Sequence, residues 1–172
     1  MKIRAATPED DEPIWAIFHE IVSRGDTYAF DPATGREEAL DLWVHKPAAT
    51  YVCELDGQVA GTYYVKPNQP ALGAHVCNCG YMVAAWARGQ GIATAMCRHS
   101  QVEAVRLGFK AMQFNLVVST NAGAVRLWQR LGYDIVGTLP QAFNHQALGL
   151  VDAHIMYKWL EADRSAARLP GP

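Results

Sequence analysis

Apolar positions along this chain switch repeatedly between a two-residue period and a period near 3.6, the mark of strands alternating with helices. Residues 1–6 alternate as a strand. Thr7 then caps a helix with Pro8 at its first position, and Ile14, Ile17, Phe18, Ile21 and Val22 form its apolar face. Thr34 and Glu37 have the spacing of a capping box for a second helix ending near Val44. Residues 51–55 and 58–65 read as strands joined by Asp56-Gly57, a strong hairpin signal. Residues 66–73 carry two prolines and read as a loop. A strand over 75–83 leads into a helix with Ile92, Ala95, Met96, His99 and Val102 turned inward. A strand over 110–118 follows. Asn121 then caps a short helix with Val125, Trp128 and Leu131 on one face and Gly132 as its stop. Residues 133–138 and 151–159 close the pattern as strands, with a long polar loop at 139–150, a length that often carries function. The pattern predicts one α/β domain over residues 1–160 and a frayed tail at 161–172.

The passage from strand to helix through Arg88, Gly89, Gln90, Gly91, Ile92, Ala93 and Thr94 has chemical meaning. Two glycines before a helix leave bare backbone N–H groups at its positive end, a site suited to a phosphate-bearing ligand. Arg88 adds a fixed positive charge. No Lys follows Gly91, so this is not a Walker A loop, and Thr94 stands where a dinucleotide fingerprint needs Gly or Ala.

Arg88-x-x-Gly91-x-Ala93 resembles the pyrophosphate loop of the GNAT-type N-acetyltransferase superfamily. Asn121-x-x-Ala124-x-x-Leu127-Trp128-x-Arg130-x-Gly132-Tyr133 resembles its second acetyl-CoA segment. Two matches in this order are far more specific than one. The resemblance covers nearly the whole of residues 1–160. It implies a mixed, mostly antiparallel sheet of six to seven strands, splayed between the fourth and fifth and flanked by about four helices. It also implies a homodimer that uses acetyl-CoA. Tyr81, Met82 and Val83 would then meet the pantetheine arm, the latter two through their backbones. Residues 89–94 would cradle the pyrophosphate. Asn121, Ala124 and Trp128 would complete the cosubstrate site.

Two departures from the superfamily pattern matter. Trp128 stands where many relatives carry a Tyr as general acid, and no Asp or Glu lies between Ala74 and Trp86 to act as base. A CoA thiol has a pKa near 8.5, about that of cysteine, and leaves as thiolate without a dedicated acid. Asn78 and Asn115, uncharged polar residues within apolar strands, need partners. They either bond backbone where the sheet splits or contact the acceptor. With Asn121 and Trp128 they resemble the set in the fungal family that acetylates the proline analogue azetidine-2-carboxylate. That resemblance implies a small amine or amino-acid acceptor held by Asn78 and Asn115. Open alternatives are a protein, peptide or polyamine acceptor, or a non-catalytic acetyl-CoA sensor.

Composition narrows the field. With 172 residues, 50% of them hydrophobic, the chain suits one domain with a real core. A net charge of −2 gives no footprint for nucleic acid or an anionic membrane. Charges at Arg4, Glu9, Asp10, Asp11 and Glu12 interrupt any leader pattern, and no apolar run approaches about 20 residues. A cytoplasmic enzyme is expected. Cys77 and Cys79 alternate on a strand while Cys53 and Cys97 stand alone, so buried reduced thiols are expected and no metal. His75 and His145 are weaker base candidates, and Tyr28, Phe30 and Asp31 occupy the segment that covers substrate in this superfamily.

Overall fold

Asp56 and Gly57 both take positive φ, 51° and 79°, the backbone that a tight hairpin turn demands. They join β2 (Ala49–Leu55) to β3 (Gln58–Pro67). The computed structural model describes residues 1–160, and the expected tail lies outside the described residues. Before the hairpin come β1 (Lys2–Ala5), α1 (Asp11–Val22) and the short α2 (Arg36–Leu40). After it come β4 (Val76–Val83), α3 (Ile92–Arg106), β5 (Ala111–Val118), α4 (Ala122–Arg130), β6 (Asp134–His145) and β7 (Gly149–Trp159). The seven strands form one sheet in the order β1-β2-β3-β4-β5-β7-β6. Every pairing is antiparallel except β4 with β5.

The helices cover both faces. On one face, Ile14, Ile17, Phe18, Ile21 and Val22 of α1 are all buried as expected, and Trp43 at their centre has no exposure. Trp43 packs against Phe18, Tyr28, Phe30 and Tyr64, and its indole N–H donates to Thr62 Oγ1 at 3.1 Å. At the start of this layer Arg4 binds Asp10, whose carboxylate also accepts from the Thr7 N–H. The guanidinium beside it holds the Asp10 carboxyl below the ordinary range.

Four expectations are corrected. Thr34 does not cap the second helix: its hydroxyl donates to Asp31 O at 2.6 Å, and Gly35 takes the N-cap position. Val102 on α3 is 67% exposed, and Cys97, Ser100 and Ala104 are buried instead, because α3 is rotated about its axis by its packing on Tyr81 and Tyr133. Lys66 is not in a loop, since β3 runs on to Pro67 and sets Lys66 opposite Asn78. Residues 139–150 are not a loop either. They are the far half of a β6–β7 hairpin that pairs from Asp134↔Tyr157 to His145↔Gly149, with register shifts between Ile135 and Gly137 and between Leu139 and Phe143. Its alternation is weak in the sequence because most of β6 faces solvent on both sides.

Candidate active site

β4 and β5 pair over only three positions, Val76↔Ala111, Cys77↔Met112 and Asn78↔Gln113, although both strands run further. Each is committed elsewhere. β4 stays paired with β3 as far as Val83, while β5 follows β7 through a register shift between Phe114 and Val117 that bends it away. Asn78 sits at the fork, 7% exposed. Its amide N–H donates to Gln113 O at 3.0 Å, and its Oδ1 accepts from the Tyr64 hydroxyl at 3.0 Å. The first of these is the backbone bond at the sheet's split that the sequence left open as one alternative. Gly80, across from Tyr64, leaves the ring room: an added Cβ would stand 2.7 Å from it.

Beyond the fork, β4 offers an unpaired edge. Ala84 N–H donates to Ala60 O, so the alternation along an antiparallel ladder turns the peptide groups of residue 82 toward β3 and those of 81 and 83 toward the split. Met82 therefore departs from expectation. Its backbone belongs to the β3 ladder and its side chain is buried. Tyr81 takes its place, and its edge is already occupied. The Tyr28 hydroxyl donates to Tyr81 O at 2.7 Å and accepts from Tyr81 N–H at 2.8 Å, standing in for a missing strand. Burial pushes the Tyr28 phenol pKa up, so the group stays protonated.

Two cavities meet at this edge. The inner one, about 350 Å³, runs through the split from Phe30, Tyr64, Lys66 and Asn78 on one side to Asn121, Ala124 and Trp128 on the other, with Tyr81 and Asn115 between. Asn115 is exposed and its Oδ1 accepts from Gln113 Nε2 at 2.9 Å. Asn121 caps α4, its Oδ1 accepting from Ala124 N–H at 3.2 Å, which leaves the amide N–H groups for the cavity. Trp128 packs on Tyr81 and Phe114 with ring centroids 5.1 and 5.2 Å away. Behind it, the Tyr81 hydroxyl is bonded to Ser100 Oγ and points away from the split. The outer cavity, about 480 Å³, is lined by Val83, Arg88, Asn121, Tyr28, Arg24 and His145 among others.

Arg88, at the head of the glycine turn, lines this outer cavity. Gly89 and Gly91 both have φ of 78°, and a Cβ at either would meet nothing within 4 Å. Gly91 is the N-cap of α3, which leaves the N–H groups of Ile92, Ala93 and Thr94 without partners in the helix. Gly89, Gln90 and Gly91 are exposed, whereas the Ile92 side chain is buried in the core. Arg88 and Arg24 both lean on Glu20, at 3.8 and 2.6 Å.

Arg24 and His145 reach the site only through tertiary structure. The tip of the β6–β7 hairpin bonds Gly25 through Gln146 N–H, at 3.0 Å. His145 Nδ1 accepts from the N–H groups of Ala147 and Leu148, so the neutral ring carries its proton on Nε2. No position-to-position spacing in the sequence links α1 to this hairpin. His75, by contrast, lines neither cavity. The four cysteines are free and buried. Among the described residues, no helix is long and apolar enough to cross a membrane.

A sheet forked at its one parallel pair, a bare helix N-terminus beside the fork and a cavity through the gap define an acyltransferase fold built around an extended cosubstrate. The sequence profile of the Acetyltransferase (GNAT) family matches residues 15–133, and the chain belongs to that family. It is an acetyl-CoA-dependent acyltransferase. N-acetyltransferase aca1 of Schizosaccharomyces pombe is 33% identical over 153 residues, covering 78% of this chain and 72% of that protein. A GCN5-related N-acetyltransferase from Kribbella flavida superposes with a TM-score of 0.86 at 44% identity, over 92% of this chain and 96% of that one. The fold is also that of yncA from Salmonella typhimurium, solved with its cofactor acetyl-CoA (TM-score 0.80, 22% identity, 98% and 99% covered). The residues here suit that group. Bare N–H donors and Arg88 match a pyrophosphate, and the odd-numbered β4 edge matches an amide-bearing arm.

Proposed function

We propose that this protein transfers the acetyl group of acetyl-CoA to the amine of a small molecule, an amino acid or amino-acid analogue. The observation that carries this reading is the inner cavity: about 350 Å³, aromatic-walled, with neutral amides at Asn78 and Asn115. That size suits a small acceptor better than a protein. The bound cosubstrate supplies an activated thioester acyl group. The chain's own contributions are positional. Arg88 and the α3 N-terminus, with residues 89–94, anchor the phosphates. Val83, and Tyr81 once the Tyr28 hydroxyl is displaced, present the strand edge, and Asn121, Ala124 and Trp128 wall the arm. Asn115 orients the amine, and Asn78, held by Tyr64 and Gln113, fixes the fork. Among the described residues, no carboxylate or histidine lines the inner cavity, so the amine gives its proton to water.

The azetidine-2-carboxylate type of acceptor enters here as part of the same reading. A cytoplasmic homodimer completes it. The supporting features are the four reduced cysteines and the exposed Ile135, Val136, Leu148 and Leu150 on the β6–β7 arm. The test is release of CoA thiol from acetyl-CoA across amino acids, proline analogues, polyamines and short peptides, with a no-acceptor blank for the native thiols. Release with amino acids or their analogues supports the reading, and release only with peptides sinks it.

Tyr28 adds a second check. Its hydroxyl occupies the two backbone groups of Tyr81 that a pantetheine arm needs. Tyr28→Phe frees them at a gain of about 1 kcal/mol. Calorimetry should then give acetyl-CoA binding about fivefold tighter. Weaker binding would mean that the hydroxyl holds the arm and does not compete with it.

A further inference from the structure

Lys66 stands alone in the inner cavity. It is the one charged side chain among the described residues lining it, and no Asp or Glu accompanies it. β3 carries it directly opposite Asn78 in the ladder, on the face that also bears Tyr64, whose hydroxyl bonds Asn78. Its Nζ lies 5.0 Å from the Tyr64 ring centre, and the residue is half-buried. It forms no ion pair among the described residues. A cation partly withdrawn from water, with only an aromatic face and neutral amides for company, gains most from an anion arriving with the ligand. A second ammonium would meet repulsion there and find no carboxylate to bind it.

We infer that Lys66 is a specificity-determining residue that pairs with a carboxylate of the acceptor, so that the substrate class is zwitterionic: an amine and a carboxylate on one small molecule. This rests on the small-amine reading above and assigns the residue that reads the acceptor's carboxylate. Asn115 borders the same space and directs the amine end, while Asn78 holds the fork beside it. Because Lys66 lies on β3 and not on the cosubstrate side of the fork, its effect is confined to the acceptor. Polyamines are excluded by the same charge.

The test compares L-azetidine-2-carboxylate and L-proline with their methyl esters and with putrescine. Wild type is set against Lys66→Met and Lys66→Glu. Acceptor binding is read by calorimetry on the CoA-loaded protein, and turnover separately. For wild type, the free acids should bind about thirtyfold more tightly than the esters, as expected of one charge-assisted bond. Lys66→Met should erase that preference and leave ester affinity and CoA affinity unchanged, and Lys66→Glu should reverse it. Retention of the acid preference in both variants overturns the role of Lys66 while the small-amine function stands. If wild type neither binds nor acetylates any of these amines but acetylates peptides, the small-amine reading itself falls, and this inference with it. Circular dichroism on each variant separates these outcomes from misfolding.

Discussion

Gly91→Val should weaken acetyl-CoA binding by at least about a hundredfold while the protein stays folded. Gly91 holds φ of 78° at the N-cap of α3. A β-branched residue there costs on the order of 1–3 kcal/mol of backbone strain, which is relieved by unwinding the first helical turn. Those first-turn N–H groups are what a phosphate would bind, so relief of strain and loss of the anion site are one event. An added Cβ meets no protein atom within 4 Å, so packing does not suffer. The side chain would instead fill the space in front of the helix. Gly57→Val is the control, with nearly the same φ (79°) and open surroundings on the distant β2–β3 turn. It should lose similar stability in thermal melts and keep its affinity by calorimetry. If the two variants bind acetyl-CoA alike, the turn is not the phosphate site.

Asn115→Ala should lower kcat/KM for the acceptor by about fiftyfold and leave the calorimetric Kd for acetyl-CoA within a factor of two. Its amide is oriented by Gln113 Nε2, and it forms no other hydrogen bond among the described residues. Removing a hydrogen bond to a charged or reacting group costs about 1.5–3 kcal/mol, which is ten- to 150-fold. Asn115 is exposed in the cavity and bears little load, so stability should hardly change. The variant also reports on the proton. With no carboxylate or histidine among the described residues lining the inner cavity, kcat/KM in both proteins should climb tenfold per pH unit until the acceptor amine itself is neutral. A plateau well below that pH would reveal a protein base. Equal losses of turnover and CoA affinity would remove Asn115 from the acceptor side.

Elements whose signals are local can be read from the order of residues alone. The α1 face from Ile14 to Val22, the Asp56-Gly57 hairpin, the glycine turn before α3 and the Asn121 cap all depend on neighbours within about one turn of chain. Such signals survive without tertiary context, and the spacing of two of them was enough to suggest the family. Whatever depends on which strand lies beside which is visible only in the folded chain. Whether Met82 or Tyr81 faces the split turns on a register of one residue, which reverses peptide direction but leaves composition unchanged. The strand over 66–67 and the solvent-exposed half of the β6–β7 hairpin carry weak periodicity, because partner strands and not their own side chains order them. Through them Lys66 and His145 reach the cavities, from positions remote in sequence from the glycine turn. Tyr28, whose hydroxyl closes the open edge of β4, is 53 residues from the backbone it binds, a distance that only folding spans.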